Sequence, residues 1–128
     1  MKKAKEIDGK LDDAWSLLVK LQAGMICEYC KKDNTQVQLH SHHIFSRSNK
    51  ATRWDLVNGI CLCASHHTLS SKFSAHKTGI EFTYWIEQYR GKQFIQKLRL
   101  KALSTYKWSN FEKELLLKDL NKQIRSYE

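Results

Sequence analysis

Apolar positions recur with helical spacing at both ends of the chain and lose that period in the middle. Ile7, Leu11, Trp15 and Leu18 stand at i, i+4, i+8 and i+11, a stripe that predicts an amphipathic packing helix ending near Gly24. Residues 1–9 are lysine-rich and are expected to fray. Beyond Gly79, the positions of Phe82, Trp85, Ile86 and Tyr89 predict a second helix, which Gly91 interrupts. Ile95, Leu98 and Ala102 suggest a third, and Ser109-x-x-Glu112 is a capping box opening a fourth, with Leu117, Leu120, Ile124 and Tyr127 on one face.

The middle reads differently. Met25 to Lys32 holds Cys27-x-x-Cys30, and two thiolates at that spacing reach one ion only if the backbone turns sharply into a knuckle. Val37 to Ile44 alternates as a short strand, 45–57 is a polar and basic loop, and Gly59 to Leu62 is apolar enough for the returning strand. From Ala64 onward a helix is expected, with His66 and His67 in its first turn. The expected fold class is therefore α+β, a small two-strand and helix core framed by N-terminal and C-terminal helices. One domain spans 1–128: an N-terminal helix over 1–25, the core over 26–78 and a helical part over 79–128. With no proline and five glycines, the ends carry few turn signals.

Composition narrows the partner. Lys plus Arg number 22 against 13 Asp plus Glu, a net charge of +9 over 128 residues. Such an excess favours a polyanion, DNA or RNA before a membrane surface. No apolar run approaches the roughly 20 residues of a membrane span, and no apolar segment follows the N-terminal lysines, so a soluble, cytoplasmic protein is expected. Arg47, Lys50 and Arg53 in the inter-strand loop are expected to contact phosphates. Arg90, Lys92, Lys97, Arg99, Lys101 and Lys107 form a second basic region. The leucines of the last helix leave room for a homodimer seam.

All four cysteines and all six histidines lie between Cys27 and His76. Zinc sites of structural type take four soft or borderline ligands from two short-spaced pairs, and Cys27, Cys30, Cys63 and His66 supply such a set. Cys61 could replace Cys63, and His67 could replace His66. His42 and His43 are neighbours on a predicted strand and point to opposite faces, so one can face an ion while the other acts on water as a general base.

Together, Cys27-x-x-Cys30, Ser41-His42-His43-Ile44, Arg53-Trp54-Asp55, Asn58 and Leu62-Cys63-x-x-His66-His67 resemble the HNH nuclease signature (ββα-metal) in its zinc-knuckle form. The variant is similar to small phage-type and recombination-associated HNH proteins, and the resemblance covers about residues 26–90. It implies a metal-dependent endonuclease that hydrolyses DNA phosphodiester bonds and leaves 5′-phosphates, in the host cytoplasm if phage-encoded. It implies His43 as general base, Asn58 as the middle Asn that orients loop and base, a structural Zn²⁺, and a catalytic Mg²⁺, Mn²⁺, Ni²⁺ or Zn²⁺ held by His42 and His67. Position 42 carries His where many members have Asp. The position four residues after His67, which often supplies the third ligand, is Ser71. His76 can take that role only if the helix ends first, and His40 is a weaker candidate. The alternatives are a non-catalytic zinc-dependent nucleic-acid-binding module and a subunit of a phage packaging or recombination complex.

Overall fold

A computed structural model describes residues 2–128, with side chains from Lys5 onward. Its elements are α1 (Lys2–Gln22), β1 (Leu39–His43), β2 (Gly59–Cys63), α2 (Gly79–Arg90), α3 (Lys92–Leu103) and α4 (Asn110–Arg125). A 3-10 turn over Leu56–Asn58 leads into β2, and a single π-helical turn over Ser65–Leu69 leaves it. Among the described residues no helix is long and apolar enough to cross a membrane. The helical ends and the small sheet agree with the α+β reading.

The stripe on α1 is the floor of the core. Leu11, Trp15 and Leu18 are buried and join Ile60, Cys61 and Leu62 of β2 and Leu120 of α4 in one apolar cluster. The fraying expected for residues 1–9 is not found over 2–9, where α1 is continuous; Met1 lies outside the described residues. The reason is α4 alongside: Ile7 packs against the core and Asp8 pairs with Lys113 at 2.8 Å. A lysine-rich turn that would fray alone is held by a neighbour.

β1 and β2 are antiparallel, in the register Leu39↔Cys63 to His43↔Gly59. A Cβ at Gly59 would lie 2.3 Å from Val19 Cγ2 and 3.0 Å from Trp15 Cζ2, so only glycine lets the sheet sit this close to α1.

After β2 the helix expected from Ala64 is a single turn, Ser65–Leu69, which carries His66 and His67 and goes no further. Ser70 is extended, and its hydroxyl accepts from the amides of Lys72 and Phe73, giving the backbone an alternative to helix. Phe73 then stacks on Tyr29 at 3.8 Å between ring centroids, with Trp85 beside both. These contacts pull the chain away from a helical path.

The other helices follow their patterns. Gly91, at φ 92°, separates α2 from α3, and the Ser109–Glu112 capping box opens α4 with both bonds at 3.1 Å. The apolar face of α4 packs on α1 through Leu116, Leu117, Leu120 and Ile124, leaving Phe111 and Leu115 exposed. Tyr127, expected on that face, lies beyond the helix end and is exposed.

Candidate metal centres and their groove

The knuckle and the end of β2 meet as the spacing suggests. Cys27, Cys30, Cys63 and His66 bring their ligand atoms within 4.8 Å of one another. Cys30 Sγ lies 4.0 Å from Cys63 Sγ, and His66 Nδ1 lies 3.2 Å from Cys63 Sγ and 4.0 Å from Cys27 Sγ. A tetrahedral zinc with ordinary bond lengths sets S···S near about 3.8 Å and S···N near about 3.6 Å. These distances bracket the tetrahedral values, and the four donors are placed to hold one ion. The knuckle is closed by Lys31 N to Cys27 O and Cys27 N to Lys32 O, both 2.8 Å, with Lys31 at φ 66°. Cys61 faces the other way, into the core, where burial pushes its thiol up to about 12.

The thiols of the cluster differ. Burial pushes the Cys63 thiol up to about 11, with the neighbouring Cys27 and Cys30 adding to it. Burial also opposes ionisation of Cys27, but backbone amides from Cys30, Cys63 and Tyr29 outweigh it and pull that thiol below its usual value. An ion held by all four side chains displaces the remaining thiol protons, since the thiolate is the ligand.

A second cluster is all imidazole. His67 Nε2 lies 3.1 Å from His42 Nδ1 and 3.1 Å from His76 Nε2. Two nitrogens at about 2.0–2.1 Å from one ion stand about 2.9 Å apart at octahedral angles and about 3.3 Å apart at tetrahedral ones. Both His67 spacings fall between, and the three ligand nitrogens all lie within 4.8 Å of one another, so they are placed to share one ion. His76 reaches this place because the turn ends at Leu69 and the chain doubles back, with Ala75 N bonding His66 O at 2.9 Å and His76 N bonding His67 O at 3.0 Å. Ser71 is exposed. Burial, followed by the repulsion of His67, His76 and His43, holds His42 down to about 3, and burial with His76 and His40 holds His67 at about 4. Both rings are therefore neutral near pH 7, the form that ligates a metal.

His40 shares the strand face of His42 but lies outside this convergence. Its Nδ1 meets the other nitrogen of His67, Nδ1, at 2.9 Å.

His43 points the opposite way, onto α1. Its ring stacks on Trp15 at 3.8 Å and 11°, and its Nε2 lies 2.9 Å from the Arg53 carbonyl. A carbonyl only accepts, so Nε2 carries the proton and Nδ1 keeps the lone pair. Burial lowers the affinity of this ring for a second proton, against the opposing pull of the Arg53 carbonyl and the Asp12 charge. Trp15 in turn donates to Asp55 O at 2.8 Å. The stripe assigns Trp15 to packing alone, and nothing in the sequence sets its ring beside His43.

Asn58 is fully buried and touches the loop rather than the histidines. Its Oδ1 accepts from Phe45 N at 2.7 Å, while Nδ2 donates to Phe45 O at 3.0 Å and to Thr52 O at 3.1 Å.

Both faces open on one groove of about 890 Å³, lined by His42, His43, Arg47, His67 and His76 on one side and by Phe82, Thr83, Glu87 and Arg99 of α2 and α3 on the other. Of the loop cations, Arg53 gives its guanidinium to Asp12, with Nε at 3.0 Å and Nη2 at 2.7 Å. Arg47 also reaches Asp12 at 2.7 Å, but its side chain is 62% exposed and lines the groove; Lys50 is exposed. In the C-terminal basic region, Arg90 pairs with Glu28 and Lys101 with Asp55. Asp12, missed in the sequence, also accepts from Trp54 Nε1 at 2.8 Å. Burial would raise its carboxyl, but Arg53, Arg47 and Trp54 hold it at about 2.

Comparison with curated proteins and with solved structures found no match. Comparison with family models matched residues 25–76 to the family described as HNH endonuclease. That span begins at the knuckle and ends at His76, enclosing both histidine and cysteine clusters and the paired strands between them. The likeness of this chain to the HNH endonuclease family is thus carried by residues 25–76.

Proposed function

We propose that the protein is a metal-dependent endonuclease that hydrolyses phosphodiester bonds of DNA, with His43 as general base. The observation that carries this reading is one groove lined both by His42, His67 and His76, whose nitrogens converge, and by His43, whose Nδ1 keeps its lone pair.

The labour divides between two centres. Cys27, Cys30, Cys63 and His66 hold a structural zinc that ties the knuckle to the end of β2, with all four positions filled by protein. His42, His67 and His76 hold the catalytic ion with three imidazoles, leaving further positions for solvent and substrate. When bound there, a divalent ion would supply positive charge to the scissile phosphate and the leaving oxygen. Three imidazoles and no carboxylate favour Ni²⁺ or Zn²⁺ over Mn²⁺ and Mg²⁺, which prefer oxygen donors.

The protein's own residues do the rest. His43 takes a proton from the attacking water at Nδ1 and becomes an imidazolium, which the Arg53 carbonyl and the nearby Asp12 charge favour. Trp15 stacks on the ring and fixes its plane. Asn58 ties loop residues Phe45 and Thr52 to the start of β2, holding the segment that carries Arg53. Arg47 and Lys50 offer exposed positive charge to the flanking phosphates, whereas Arg53 serves to hold α1 against the loop through Asp12.

Supercoiled plasmid incubated with Mg²⁺, Mn²⁺, Ni²⁺ or Zn²⁺ tests the reading. The wild-type chain should nick or cut it with the transition metals, and His43→Ala should lose most of that activity while still binding DNA and retaining one zinc. If neither protein cuts while both bind DNA, the chain is a nucleic-acid-binding module and the enzyme reading is wrong.

A further inference from the structure

We infer that His40 is a positioning residue: it accepts a hydrogen bond from Nδ1 of His67 and so fixes the ring and tautomer that His67 presents to the second metal centre. The inference rests on the reading of His42, His67 and His76 as a metal site, and it concerns a side chain outside that ligand set.

His67 is held on both of its nitrogens. Nε2 faces His42 and His76, each at 3.1 Å, while Nδ1 faces His40 Nδ1 at 2.9 Å with the two rings nearly perpendicular, at 80°. Two ring nitrogens at that distance share one proton, so one donates and the other accepts. If Nε2 of His67 is to bind an ion it must carry a lone pair, and the proton of the neutral ring then sits on Nδ1. His67 is the donor and His40 the acceptor. Metal-bound histidines are commonly oriented in this way through their second nitrogen, usually by a carboxylate or a carbonyl. Here the acceptor is another imidazole.

The strand makes the arrangement. His40 and His42 lie two residues apart on β1, on the same face, and therefore bracket the His67 ring from opposite ends. The backbone bond from His76 N to His67 O, at 3.0 Å, holds the third ligand beside it. A His-x-His pair on this strand thus serves one ligand and one orienter of a ligand, not two ligands.

The test compares two replacements in protein already holding its structural zinc. Asn places its side-chain oxygen as many bonds from the backbone as Nδ1 of His, so His40→Asn keeps an acceptor; His40→Phe keeps the ring bulk and removes it. Calorimetric titration with Ni²⁺ should show His40→Phe weakened by about 10–100-fold, the loss typical for a ligand's hydrogen-bond partner, with His40→Asn close to wild type. Unchanged Ni²⁺ affinity in His40→Phe, or an equal loss in both variants, would overturn the role. A second readout is the tautomer itself: nitrogen-15 spectra of the wild type with Zn²⁺ filling both centres should place the His67 proton on Nδ1, and a proton on Nε2 would refute the assignment. If the wild type takes up no metal beyond its structural zinc, the second metal centre itself fails and the role of His40 falls with it.

Discussion

A histidine that gives one ring nitrogen to a carbonyl has only the other for chemistry, and His43 is such a residue. The adjacent His42, turned to the opposite face by the strand, joins His67 and His76 instead. The sequence showed that the two could not share one job, because neighbours on a strand diverge. It did not show which residue completes the second cluster, since that depends on where a helix stops. His76→Ala is expected to weaken Ni²⁺ binding at this site by at least about tenfold, as loss of one ligand in three should; Ser71→Ala should leave it unchanged, and calorimetry separates the two. Asp12 illustrates what was hidden: one carboxylate among thirteen acidic residues, it receives Arg47, Arg53 and Trp54 from 35 to 42 residues away. Its folded carboxyl, at about 2, lies below the ordinary 3.8, so the unfolded chain binds a proton first as pH falls. The stabilisation is whole above pH 4 and is lost toward pH 2. Asp12→Asn should therefore lower stability near pH 7 by about 1–3 kcal/mol and flatten the acid limb, as denaturant melts at several pH values would show.

Among the elements, the short turn after β2 matters more than any helix. A helix continuing from Ala64 would have carried position 76 to the opposite side from His67, at about 100° per residue. Ser70 and the stacking of Phe73 on Tyr29 end it after five residues, and those signals were present in the sequence but weak beside the expected helical run. The knuckle was legible because Cys-x-x-Cys allows few backbone solutions. Cys27→Ser should lose the structural zinc and with it the cooperative melt, whereas His43→Ala should keep both; metal analysis with circular dichroism measures this. A Cys27→Ser protein with unchanged metal content would remove the structural assignment. The contact of β2 with α1 was not legible, because a glycine's need for closeness is seen only across the fold. Gly59→Ala should destabilise by about 1–3 kcal/mol through overpacking, and Val19→Ala should recover part of that loss in the double variant, where the nearest methyl is gone.

At the scale of the molecule, α1 and α4 form a base under the sheet, and α2 with α3 supplies the far wall of the groove. The helical frame could be read from periodicity at both ends, and the family-matched span of 25–76 carries the paired strands and both clusters. What periodicity could not assign was the use of the charge. The net +9 pointed to a polyanion, yet Arg53, Arg90, Lys101 and Lys113 are engaged in internal ion pairs that join distant elements. Arg47 and Arg99 are the exposed arginines on the groove itself. The central claim is that this groove cleaves DNA with His43 as its base and a separate imidazole site for the ion. Its most direct test is the single-turnover cleavage rate of a short duplex at saturating Ni²⁺ or Mn²⁺, wild type against His43→Ala, with bound metal counted in both. The account predicts a rate lower by about 10²–10⁴-fold in His43→Ala with both metals retained; equal rates, or no cleavage by the wild type under any of these metals, would contradict it.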